Sequence, residues 1–115
     1  MDDKRHYSQR MEPMYSHAYQ FLGWFGANAD AYEDDRIEKT IEEVVAETHP
    51  ETVEQIIGEL DAVIKHMPIT YQELEDLANY VIASDAEAKD LLTTLHDGLR
   101  QGLAQRLAAE PKTEA

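Results

Sequence analysis

Three stretches of this chain share one pattern. Thr48-His-Pro-Glu51, Thr70-Tyr-Gln-Glu73 and Ser84-Asp-Ala-Glu87 each place a hydroxyl three residues before a glutamate. At a helix start the hydroxyl accepts from the glutamate's own amide, and the carboxylate reaches back to the cap amide. Each stretch is followed by apolar residues spaced three and four apart, as a helix face requires. Asp35 with Glu38 resembles a fourth start of this kind. No segment shows the sustained alternation of a half-buried strand. The pattern therefore predicts an all-α fold.

The apolar stripes set the helix count. A first helix is predicted from about Pro13 to Phe25, with Tyr15, Ala18, Tyr19, Leu22 and Phe25 on its buried side. A loop over residues 26–34 follows. The second helix carries Ile37, Ile41, Val44, Val45 and Thr48 on one face. The three boxed starts open helices with the stripes Val53, Ile56, Ile57, Leu60, Ile64; then Leu74, Leu77, Ala78, Val81; then Ala88, Leu91, Leu92, Leu95, Leu99. The last is expected to continue towards Leu107, weakened by Gly98 and Gly102. Short connections favour antiparallel neighbours, so the expected architecture is a compact bundle of about five helices. Residues 1–11 read as a flexible N-terminal segment, 12–107 as a single helical domain and 108–115 as a flexible tail.

The 115 residues carry a net charge of -14, and all of it lies in one block. Residues 28–90 hold 18 acidic and 4 basic residues, while both flanking segments cancel. Such a field attracts cations and basic proteins and repels nucleic acid and anionic lipid. The same charge also serves solubility, so by itself it narrows the partner class without naming a function. The absence of cysteine excludes a disulfide framework, a thiolate zinc site and a cysteine nucleophile. The polar start Met1-Asp2-Asp3-Lys4-Arg5-His6 lacks the apolar centre of a signal peptide. No apolar run approaches the ~20 residues of a membrane span. The expected location is the cytoplasm, with no membrane partner.

The catalytic inventory is sparse. His6, His17, His49, His66 and His96 are scattered, and none follows a glutamate at the spacing of di-iron bundles. No glycine-rich phosphate loop or nucleotide fingerprint is present. Read as a calcium hand from Asn28, the acidic loop has Asp30 in third place, but Tyr32 falls in fifth. Glu33 stands where the sharp turn wants glycine, and Lys39 where a bidentate glutamate belongs. The adjacent Glu42 and Glu43 point about 100° apart on a helix and do not form an acid–base pair. The expectation is a non-enzymatic protein with no cofactor and no metal. Binding is instead expected through Asp30, Glu33, Asp34, Asp35, Glu38, Glu42 and Glu43, with Trp24 as an aromatic anchor beside them.

The order of these features resembles the helical immunity proteins of contact-dependent growth inhibition systems. The matching residues are Phe21-Leu22-Gly23-Trp24-Phe25, Asp30, Ile41 to Val45, Glu59-Leu60-Asp61 and Ile69 to Leu77. The likeness spans roughly residues 18–80. The loop reads Gly26-Ala27-Asn28-Ala29-Asp30 where that family tends to carry His-Gln-Asp. The resemblance implies a cytoplasmic, bacterial protein that binds and neutralises a cognate toxin domain, often a nuclease. Nucleases need basic surfaces to hold phosphate backbones, and an acidic protein complements them. Two other classes fit the composition: a nucleic-acid mimic that inhibits DNA-binding enzymes, and a regulatory helical interaction module. A monomer is the expected state.

Overall fold

The structure, a computed structural model, describes residues 6–27 and 35–109. They form five helices: α1 (His6–Ala27), α2 (Arg36–Glu47), α3 (Pro50–His66), α4 (Tyr71–Ala78) and α5 (Asp85–Ala109). The predicted all-α bundle of about five helices is the fold observed. Helix α3 packs against both α1 and α5, α2 lies on α5, and α4 lies on α1 and touches α5. Leu22 and Phe25 of α1, Val53, Leu60 and Val63 of α3, Leu74 of α4 and Leu92, Leu95 and Leu99 of α5 are fully enclosed. Thr40 is the one buried polar side chain among the described residues. Its Oγ1 has no hydrogen-bond partner there, so it fills space much as a valine would.

The helix starts follow the boxes in part. Thr70 and Glu73 form the full reciprocal pair, with Glu73 N donating to Thr70 Oγ1 at 3.1 Å and Thr70 N to Glu73 Oε1 at 3.0 Å. Ser84 Oγ accepts from Glu87 N at 3.2 Å, but the Glu87 carboxylate reaches one residue further back, to Ala83 N at 2.9 Å. The Thr48 box does not form. Thr48 ends α2, and His49 caps α3, its Nδ1 accepting from Glu51 N at 3.3 Å. The reason is Pro50. With Thr48 as cap, His49 would have to be helical immediately before a proline, which the ring disfavours. With His49 as cap, Pro50 takes the first helical position, where its missing amide costs nothing. Asp35 precedes α2 as its cap residue but makes no side-chain cap bond.

Other boundaries also shift. Helix α1 starts at His6, upstream of the predicted Pro13, and is kinked at Tyr15 (φ -128, ψ 40). Pro13 supplies no amide hydrogen near this break. The piece after the kink carries the predicted stripe, with Phe21 buried in addition and Tyr19 only half-buried. Helix α4 ends at Ala78 because Asn79 adopts a left-handed conformation (φ 51, ψ 52). Asparagine tolerates that region better than most residues. Val81, predicted on the buried stripe of this helix, therefore lies beyond it and is 83% exposed. Ile82 takes its place in the core.

Two kinds of contact hold the helices together. The first is close approach over glycine. A Cβ on Gly26 of α1 would stand 2.5 Å from the Leu77 carbonyl oxygen of α4. Gly98 and Gly102 of α5, expected to weaken the helix, instead seat Ile41 and Val45 of α2. The second is capping by arginine. Arg36 Nη2 and Nε donate to the Phe25 carbonyl at 2.9 and 3.2 Å, Nη1 donates to the Asn79 carbonyl at 2.7 Å, and Nη2 also reaches the Ala78 carbonyl. Its guanidinium lies 4.0 Å from the Phe25 ring centre and 5.5 Å from that of Tyr80. Burial lowers the Arg36 pKa while the nearby Tyr80 raises it; arginine stays charged all the same. Arg106 of α5 donates in the same way to the Thr48 carbonyl at 2.9 Å and to that of Val45.

Four variants test these contacts in urea unfolding. Gly26→Ala is expected to destabilise by about 1–3 kcal/mol, since the obstacle is backbone that cannot turn aside. Gly58→Ala, on an exposed turn of α3 with nothing within 4 Å, is expected to stabilise by about 0.5–1 kcal/mol. Arg36→Ala should cost about 2–4 kcal/mol by orphaning helix-end carbonyls. Arg36→Lys should recover only part of that, because an ammonium cannot span three carbonyls in a plane.

Candidate functional site

Asp30, Glu33 and Asp34 lie outside the described residues. The remaining acidic candidates are on or beside α2. Asp35, Glu38 and Glu42 are exposed. Their spacing of three and four residues sets them within about 60° of arc, as one column along the helix. Glu43 is turned about 100° from Glu42, is half-buried and has partners of its own, so it does not belong to that column. Glu42 stands at the rim of an apolar groove of about 370 Å3 between α2 and α5. Ile41, Val45, Ala46, Gly102 and the Arg106 side chain form its walls. The glycine in α5 opens this groove, since a larger residue at 102 would fill it from below.

Trp24 is 37% exposed and stands elsewhere. It lines a separate groove of about 200 Å3 with His17, Phe21, Val44, Thr48, Thr52 and Ile56. None of Asp35, Glu38, Glu42 and Glu43 lines it. The expected pairing of an aromatic anchor with these carboxylates is therefore not seen around this groove. Trp24 falls off the α1 stripe, as the spacing predicts, but it faces α2 and α3 through Val44 and Ile56.

His17 and Glu59 form a pair that sequence spacing does not reveal. His17 Nδ1 lies 2.8 Å from Glu59 Oε2, and the other carboxylate oxygen, Oε1, accepts from Ala18 N at 2.9 Å. The kink at Tyr15 starts a fresh helix end within α1, and Ala18 presents one of its orphan amides. Glu59, brought in by α3, caps that end from a different helix. Its charge also suits the positive end of the helix dipole. A histidine oriented by a carboxylate is half of a general-base arrangement. Among the described residues the imidazole's hydrogen bond is the one to Glu59. The capping role accounts for the bond from Ala18 N, and His17 occupies the other carboxylate oxygen. Among the described residues no three His, Asp or Glu side chains converge as a metal-binding group.

No helix among the described residues is long and apolar enough to cross a membrane. No family model matches the chain, and neither a curated protein nor a solved structure matches it. The site rests on its own geometry.

Glu59→Ala should destabilise the fold by about 1–2 kcal/mol, the usual cost of losing a helix cap. His17→Ala should cost less, because it leaves the Ala18 amide bonded. Thermal unfolding of the two variants, side by side, checks the order.

Proposed function

We propose that this chain is a binding protein, not an enzyme, which neutralises a basic protein partner. In the terms of the family resemblance it is an immunity protein acting on the nuclease domain of a contact-dependent growth inhibition toxin. The observation that carries this reading is the exposed column of Asp35, Glu38 and Glu42 on a helix whose apolar side is already engaged. Val44 and Val45 face the core, and Ile41 and Val45 sit over the α5 glycines. The carboxylates of the column are thus left on the solvent side of α2. It borders an apolar groove, and a binding face commonly combines an apolar centre with a charged rim.

The charge supplies steering, and the groove supplies area for water exclusion. A nuclease holds its phosphate backbone with lysine and arginine, so the same surface that binds nucleic acid is attracted to this one. Neutralisation then needs only occupancy of that surface and no chemistry from the inhibitor.

The test is coexpression with a candidate basic nuclease toxin domain, followed by binding kinetics at two ionic strengths. Wild-type protein is expected to restore growth. The pair Glu38→Lys with Glu42→Lys should leave the fold intact. It should slow association about tenfold or more at low salt and flatten the salt dependence, with a smaller change in dissociation. Unchanged association, in a folded variant, would place the column outside the interface.

A further inference from the structure

Val81 is the most exposed large apolar side chain among the described residues, and the fold gives it no partner of its own to cover. It sits in the α4–α5 connection, held between two fixed points. Upstream, Asn79 caps α4 and its side-chain amide donates to the Gly26 carbonyl at 3.4 Å. Downstream, Ile82 is 3% exposed in the core, and Ala83 N is tied to the Glu87 carboxylate. The segment is thus pinned on both sides with Val81 turned outward. A β-branched side chain on such a segment loses little rotamer freedom when covered.

Val81 forms the ridge between two hollows. One, of about 310 Å3, is lined by Ile37, Tyr80, Ile82 and Leu91 together with Glu87, Asp90 and Thr94. The other, of about 370 Å3, is lined by Gln72, Glu75, Asp76, Asn79 and Tyr80. Neither has a lysine or arginine in its lining. Arg36, the nearest arginine through Tyr80, has its guanidinium turned onto main-chain carbonyls.

We propose that the ridge at Val81 and the groove beside it dock a short basic segment of a partner protein. One apolar side chain of that segment seats over Ile37, Ile82 and Leu91 against Val81, while its lysines or arginines reach Asp90 and Glu87 on one side and Glu75 and Asp76 on the other. Charge complementarity selects this occupant. A nucleic acid or an anionic lipid is repelled by the carboxylate edges, and a second copy of this chain brings a further -14 against them. The inference rests on the preceding reading that the partner is a basic protein, and it adds a second apolar contact, apart from the groove that borders the α2 column.

The experiment is an amide chemical-shift titration of the intact protein. The probes are a short amidated peptide of lysines carrying two leucines and its twin with serines in place of the leucines. The leucine peptide is expected to shift the amides of residues 80–83 and of Asp90, Leu91 and Thr94, and to bind roughly fivefold or more tightly than the serine twin. Val81→Ser should remove that preference, with an unchanged melting temperature because the side chain is exposed. Asp90→Asn should weaken both peptides and steepen neither salt dependence. Equal binding of the two peptides, or shifts confined to residues 35–47, would overturn the docking groove and leave the acidic binding reading standing. Binding of neither peptide at low ionic strength would overturn both.

Discussion

The structure depends on how it closes its helix C-termini. Four carbonyls at the end of every helix lack an internal partner, and the helix dipole makes that end negative. Helices α1, α2 and α4 have no basic residue in their own last turns. Arginines from other helices serve them instead. Arg36, the first residue of α2, reaches the ends of α1 and α4 together, and Arg106 of α5 reaches the end of α2. A local cap would stabilise one helix. A cap brought from another helix also fixes where that helix lies, so secondary and tertiary structure form together.

That clamp needs close backbones. The carbonyls of Phe25, Ala78 and Asn79 converge within reach of one guanidinium only because α1 crosses α4 over Gly26. The Asn79 side chain crosses the same gap to the Gly26 carbonyl. The Arg36 guanidinium also lies 4.0 Å from the Phe25 ring centre and 5.5 Å from that of Tyr80, so two aromatic rings flank it near the same crossing. Position follows from this for the functional surface. With its first residue bound to α1 and α4 and its last turn bound to α5, α2 cannot roll. Its carboxylate column is therefore held at a fixed angle to the rest of the molecule.

Much of the fold is legible in the sequence, and the misses have physical causes. The α5 stripe of Ala88, Leu91, Leu92, Leu95 and Leu99 is buried as its spacing predicts, because α5 has a single apolar face and full length to express it. Leu107, at its far end, is 43% exposed. The Thr48 box failed through a competing local rule, the restriction ahead of Pro50, which is itself readable. Val81 was misplaced because the left-handed stop at Asn79 interrupts the helix, and spacing arguments hold only while a helix continues. The Arg36 clamp, the Glu59 cap and the role of Gly98 and Gly102 could not be read at all. Each joins residues far apart in sequence, and a single chain without its packing shows such residues only as an ordinary charge or a weak helix former.

The candidate surface divides along the same line. The column at Asp35, Glu38 and Glu42 is a periodicity property and was within reach of the sequence, whereas the groove that Trp24 lines is a packing property and was not. Of the four basic residues between 28 and 90, Arg36 is turned onto main-chain carbonyls, and Lys65 pairs with Asp61 at 3.1 Å. Lys39 and Lys89 are left as exposed cations against a large excess of carboxylates. Arginine is suited to the internal task because it stays charged and spans several carbonyls, which lysine cannot do. The cations that could have neutralised the acidic block locally thus include one that holds the bundle together. The price of that arrangement is self-repulsion across the surface, and a basic partner would relieve it on binding. The same few positive charges thus serve the architecture while the block around them stays strongly acidic.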